Sequence, residues 1–185
     1  MRFQDHAVVI TGAAGGLGRA IALAFAAEGA GIVAGDLSDA VEAVAAEARR
    51  AGGHAVAVRS DVGRSADMVA LAARAVTEFG GLHVLVTCAG LGDAGLLVEQ
   101  DEHAWTRVID VNLNGTYRAI RAVLPQMLAQ RSGRIVTVSS ALGKMGGSGF
   151  VTAYSASKHG VIGLTRSLAA ELGSQNTPSS RARSR

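Results

Sequence analysis

Near the start of the chain, the run Thr11-Gly12-Ala13-Ala14-Gly15-Gly16-Leu17-Gly18 lies between two patterned segments. Before it, Ala7-Val8-Val9-Ile10-Thr11 is apolar and β-branched, a strand composition. After it, Gly16 to Gly29 places Ala20, Ile21, Ala24 and Phe25 on one helical face and stops at a glycine. A strand that turns through glycines straight into a helix has a tight turn and a backbone bare of side chains. The free N–H groups and positive dipole end of the helix then face the turn, an arrangement that receives a phosphate. The chain has 24 glycines in 185 residues, so an ordinary strand-to-helix turn competes with this reading until a second signal appears.

Asp36 is that signal. It stands eighteen residues past Gly18, at the end of the next apolar strand, Gly31 to Gly35. An acid there accepts hydrogen bonds from the adenosine ribose hydroxyls of a dinucleotide. The competing role is that of a turn or helix-cap residue. Neither Ala14 in the loop nor Leu37 after the acid supplies the positive charge a 2′-phosphate needs, so the residues favour NAD(H) over NADP(H).

The alternation continues. Ser38 is placed as the N-cap of a helix ending near Gly52-Gly53. Strands are expected at Ala55 to Arg59, Val84-Leu85-Val86 and Arg134 to Val138. Helices are expected at Ser65 to Phe79, at Asp101 to Gln130 with an interruption near Asn112 to Gly115, and at Thr152 to Leu172. Short apolar strands, each followed by a helix, are parallel and buried on both faces. Right-handed crossovers make the fold α/β: a doubly wound parallel sheet of the Rossmann type in three αβα layers, with strand order 3-2-1-4-5. Residues 1–173 form one NAD-binding domain. Residues 174–185 turn abruptly to Ser, Arg, Pro and Asn and read as a basic, disordered tail.

Charge excludes one class of function. Arg181, Arg183 and Arg185 account for the formal net charge of +3, and the body is left neutral. A nucleic-acid partner is therefore not expected. Val8-Val9-Ile10 is too short for a membrane span or a signal core, and the single cysteine, Cys88, cannot form an internal disulfide. Both fit a soluble cytoplasmic protein. No metal site is read from the sequence.

Tyr154-Ser155-Ala156-Ser157-Lys158 opens the last helix, with Tyr and Lys four apart on one face. A tyrosine hydroxyl ordinarily ionises near pH 10, too high for base catalysis at neutrality, and a nearby ammonium favours the phenolate. Such a pair can take a proton from an alcohol while its carbon loses hydride. The spacing alone is common: Tyr117 and Arg121 look similar and are assigned to a helix surface.

Together these motifs resemble the short-chain dehydrogenase/reductase family over residues 6 to about 173. Thr11-Gly12-x-x-x-Gly16-x-Gly18 is similar to its cofactor loop, Asp61-Val62 to the pair that contacts adenine, and Asn112 to its helix asparagine. Ser140, after Ile135-Val136-Thr137-Val138-Ser139, is similar to its catalytic serine, and Tyr154 with Lys158 to its catalytic pair. The resemblance implies catalytic roles for Asn112, Ser140, Tyr154 and Lys158. It implies cofactor contacts from Gly12, Ala14, Gly15, Gly16, Leu17, Gly18, Asp36, Leu37, Asp61, Val62, Ala89 and Gly90, with Tyr154 and Lys158. Ser140 would hold the substrate oxygen, Lys158 the nicotinamide ribose, and Asn112 a water that links Lys158 to solvent. The implied reaction interconverts a secondary alcohol and a ketone in a homo-oligomer.

The chain departs from the family pattern twice. Thr87-Cys88-Ala89-Gly90 replaces the usual Asn-Asn-Ala-Gly and removes side-chain hydrogen bonds that brace the sheet; Cys88 reads as a small buried residue. After Gly173 the usual C-terminal strands and substrate loop are missing, so the chain reads as truncated. An NAD-binding remnant or regulatory protein with impaired catalysis is therefore the rival to an active enzyme. The stretch Leu142 to Val151, with four glycines and Phe150, reads as a mobile, partly apolar substrate mouth.

Overall fold

The structure, a computed structural model, describes residues 1–92, 94–145 and 149–175. Five strands, β1 (Ala7–Thr11), β2 (Gly31–Asp36), β3 (His54–Arg59), β4 (Val84–Thr87) and β5 (Arg134–Thr137), form one parallel sheet in the order β3-β2-β1-β4-β5. This is the expected Rossmann order. Every residue of β1 and of β4 is buried. Their continuous apolar composition follows from burial on both faces.

The helices α1 (Gly16–Ala27), α2 (Val41–Arg50), α3 (Ser65–Phe79), α4 (Glu102–Ile109), α5 (Gly115–Ala129) and α6 (Thr152–Gln175) complete the fold. On one face Val8, Ile10 and Ile32 pack with Ala22 of α1 and Ala45 of α2; on the other, Val9, Val33 and Leu85 pack with Leu71 of α3 and Val123 of α5. Burying each such aliphatic side chain contributes about 1.5–3 kcal/mol. Tyr117 is 46% exposed on α5, the surface position expected of it.

Three local expectations need correction. Ser38 does not cap α2: the helix begins at Val41 behind Ala40, and no side chain caps it. Asp36 Oδ1 accepts the Ser38 N–H (2.9 Å), and Ser38 Oγ accepts the Ala40 N–H (3.3 Å), so this serine is used in a turn. The interruption near Asn112 is no break, because a π turn, Asp110–Asn114, joins α4 to α5 continuously. Gly173 does not end α6, which reaches Gln175; the rest of the expected tail, 176–185, lies outside the described residues. Among the described residues no helix is long and apolar enough to cross a membrane.

Candidate active site

The C-terminal ends of the parallel strands open onto a cleft of about 800 Å³. This is where open α/β sheets bind ligands. Its rim carries Gly12, Gly15, Gly16, Leu17 and Gly18 from the turn after β1, and Asp36 and Leu37 from the end of β2. Asp61 and Val62 come from beyond β3, and Ala89 and Gly90 from beyond β4. Ala14 does not line the cleft; its N–H donates to Asp36 Oδ2 (2.9 Å), which ties the glycine loop to the acid.

The glycines divide by what surrounds them. A Cβ on Gly18 would lie 2.1 Å from the Gly12 carbonyl oxygen, and one on Gly12, where φ is +70°, would lie 2.5 Å from the Ala89 nitrogen. These two let strand, loop and helix pack. Gly15 and Gly16 have nothing within 4 Å of the Cβ position. No side chain caps the start of α1, and its first turn carries no acid. The loop thus keeps an open cradle in front of free N–H groups, and a diphosphate fits it.

Behind Gly90, Asn112 and Lys158 come together. The Gly90 Cβ position lies 3.3 Å from Asn112 Oδ1 and 3.7 Å from Lys158 Nζ. Lys158 is buried, and its amine donates to the Val138 carbonyl (3.0 Å). Burial pushes this amine below the ordinary lysine range. It sits 5.6 Å from the centre of the Tyr154 ring, one helical turn back on α6. Ser140 follows β5, and its Oγ accepts the Leu142 N–H (3.2 Å), leaving its own hydroxyl proton to donate. Ser139 Oγ donates to the Lys158 carbonyl (2.9 Å) and pins α6 to the sheet.

Asn112 is fully buried in the π turn. Its Oδ1 accepts the Leu91 N–H (2.7 Å), and its Nδ2 donates to the Leu91 carbonyl (2.9 Å) and to Ser157 Oγ (3.0 Å). Ser157 in turn donates to the Tyr154 carbonyl (2.7 Å).

A match to the family model described as short chain dehydrogenase covers residues 6–177. The chain belongs to the short-chain dehydrogenase family. It is 40% identical over 175 residues to the 3-oxoacyl-acyl-carrier-protein reductase FabG of Staphylococcus epidermidis, covering 93% of this chain and 71% of that protein. It is 44% identical over 168 residues to the cis-4-hydroxycyclohexanecarboxylate dehydrogenase of Sinomonas cyclohexanicum, covering 90% and 67%. Levodione reductase shares its fold with a TM-score of 0.88 at 33% identity, over 93% of this chain and 68% of that one. This short-chain dehydrogenase is accordingly an oxidoreductase acting on CH–OH groups, from a family that binds nicotinamide cofactors.

Cys88 and Thr87 occupy the positions where the dehydrogenase sequence departs from the family pattern. Cys88 is half-buried and lines the cleft; burial pushes its thiol up, against the opposing effect of the Lys158 charge. Thr87 is buried, and its hydroxyl has no hydrogen-bond partner among the described residues, a local cost of the lost brace. In the expected substrate mouth, residues 146–148 lie outside the described ones. Phe150 takes a left-handed backbone (φ 61°), exposes its ring, and accepts the Gly95 N–H at its carbonyl (2.8 Å), which joins two loops beside α6.

The sequence reading missed Ser157, Arg107 and the Asp110–Arg118 pair. Arg118 Nη2 donates to Asp110 Oδ1 (2.7 Å), and this bond holds the Asp110 carboxyl below its usual range. A serine inside Tyr-x-x-x-Lys offered a weak signal; an Asp and an Arg eight apart across a π turn offered none.

Proposed function

We propose that this dehydrogenase interconverts a secondary alcohol and a ketone with NAD(H), using Tyr154 as the general acid/base. The observation that carries this reading is Lys158, which stands with Asn112 behind Gly90 of the cleft lining and 5.6 Å from the centre of the Tyr154 ring, in a chain whose cleft carries a bare glycine loop. The nicotinamide, when bound, supplies the acceptor or donor of hydride. Gly15, Gly16 and the start of α1 hold its diphosphate, and Asp36 takes the adenosine ribose hydroxyls. Lys158 holds the nicotinamide ribose and keeps a positive charge beside the Tyr154 ring. Ser140 donates its hydroxyl proton to the substrate oxygen and aligns it. Tyr154 then removes the proton from the alcohol, or returns it to the developing alkoxide. Asn112 keeps the Leu91 backbone and α6 in register, so the proton-transferring groups stay placed. The Asp36 carboxylate repels a 2′-phosphate, and Arg59, its register partner on β3, is held by Asp39 (3.4 Å). This supports NAD(H) over NADP(H). A single free cysteine fits a reducing cytoplasm, and the exposed Tyr117 and Leu128 of α5 fit a homo-oligomer.

The test is a panel of secondary alcohols with NAD⁺ and NADP⁺, read as formation of reduced cofactor, alongside calorimetry. Turnover with NAD⁺, its loss in Tyr154→Phe, and unchanged NAD(H) binding by that variant are expected. Retained turnover in Tyr154→Phe overturns the acid/base role, and equal affinity for NADP(H) overturns the role of Asp36. Tight NAD(H) binding with no turnover across the panel favours the catalytically impaired reading.

A further inference from the structure

Among the described residues, four charged ones line the cleft: Asp36, Asp61, Asp110 and Arg107. The three acids are occupied in different ways. Asp36 accepts the N–H groups of Ala14 and Ser38 (2.9 Å each), and Asp61 Oδ1 accepts that of Gly63 (2.7 Å), so both remain charges without a cation. Asp110 is neutralised by Arg118, which also reaches the Val62 carbonyl (3.4 Å) and so ties the π turn to the segment after β3. Arg107 stands three residues before Asp110 on α4, the spacing at which a helical Asp and Arg pair. Because Arg118 takes that carboxylate, Arg107 is left over. Its side chain is exposed and makes no ion pair or hydrogen bond among the described residues. It borders both the cleft and a side cavity of about 500 Å³ beneath the 94–101 loop.

Without Arg107 the lining of the cleft is negative, yet the proposed ligand carries a diphosphate. From this arrangement we infer that Arg107 is a cofactor-binding residue. Its guanidinium, freed by the Asp110–Arg118 pair, offsets the negative charge that the dinucleotide brings into a cleft otherwise lined by acids. The role rests on the cofactor reading above and concerns the charge of the arginine.

Calorimetry with ADP-ribose, NAD⁺ and nicotinamide mononucleotide on the full chain tests it. Arg107→Met keeps the aliphatic stem and removes the charge; Arg107→Lys keeps a charge. Loss of one charge-assisted contact predicts a roughly tenfold weaker ADP-ribose and NAD⁺ affinity for the Met variant. The Lys variant should recover most of it, and the salt dependence of binding should be shallower in Met than in wild type. Mononucleotide binding and the melting temperature should stay unchanged. Wild-type affinity in Arg107→Met overturns the inference, as does an Arg107→Lys variant no better than Met. A wild-type chain that binds no ADP-ribose overturns the cofactor reading itself, a separate result.

Discussion

Two glycines three residues apart should respond to the same substitution in opposite ways. In Gly18→Ala the new methyl lies 2.1 Å from the Gly12 carbonyl oxygen and 2.8 Å from its carbon. Both atoms are backbone, so no side-chain rotation relieves the overlap, and the loop or the start of α1 must move. Overpacking of this kind costs about 3 kcal/mol, which for a chain of this size lowers the melting temperature by roughly 6–12 °C. In Gly15→Ala the methyl meets nothing within 4 Å. Gly15 has an extended backbone (φ −162°), which alanine adopts freely. Alanine is a poorer N-cap than glycine by about 1 kcal/mol, but it stiffens the unfolded chain by about 0.4–1 kcal/mol. The two nearly cancel, and the melting temperature should hold within about 2 °C. The methyl nevertheless fills the cradle before the α1 N–H groups. Losing one or two charge-assisted bonds there weakens NAD(H) by about a hundredfold. Differential scanning calorimetry and titration calorimetry on both variants separate the effects. A Gly15→Ala variant that binds NAD(H) normally, or a Gly18→Ala variant that melts with the wild type, refutes the division of labour.

Lys158→Met should raise stability near neutral pH while weakening NAD(H) binding, because it removes a charge whose burial is costly. Since the folded amine titrates below the ordinary lysine value, that cost is relieved as pH rises through the folded pKa; denaturant melts should show the advantage shrinking toward pH 10. His83 Nδ1 accepts the Ala7 N–H (3.0 Å), and burial, then His6, push its pKa below the usual histidine range. The folded state therefore resists protonation there, and this stability should be present above about pH 6.5 and lost as pH falls through the folded pKa; His83→Gln should flatten the melting-temperature profile over that window. Val136 is half-exposed on β5, one of the two edge strands of the sheet, so Val136→Lys should reduce concentration-dependent light scattering of the chain without lowering its melting temperature; unchanged scattering counts against pairing through this edge.

The layered fold was legible because burial on both faces leaves its mark in composition. Val8, Val9 and Ile10, or Val84, Leu85 and Val86, have no polar partner in the alternation and can only be interior parallel strands. The family motifs then placed Asp36, Tyr154 and Lys158 at strand ends and on one helix face. Ser38 misled because it has the right chemistry for a cap, yet the Asp36 carboxylate captured its N–H and drew it into a turn before the helix began. Gly173 misled because a glycine only lowers helix propensity; α6 runs through it to Gln175. The Asp110–Arg118 pair was not legible, since its eight-residue separation is neither the three- nor the four-residue spacing at which helical side chains pair.

Asn112 shows why the π turn persists against its local cost. A π turn has poorer backbone geometry than an α-helix, and Asn112 and Asn114 are both weak helix formers. Local preference alone would replace it with an ordinary turn of helix. What opposes this is the Asn112 side chain, whose amide makes three hydrogen bonds in a fully buried place. Rotating it away would strand the Leu91 N–H, the Leu91 carbonyl and the amide itself, each at about 1–3 kcal/mol. Thr116 Oγ1 adds a bond to the Asn112 carbonyl (2.8 Å). The distortion is thus held by the groups it connects: Leu91 at the floor of the cleft on one side, and Ser157, bonded to Tyr154, on the other. The Leu91 lining of the cleft and the helix that carries Tyr154 and Lys158 come from segments more than sixty residues apart in sequence, and this buried amide joins them directly.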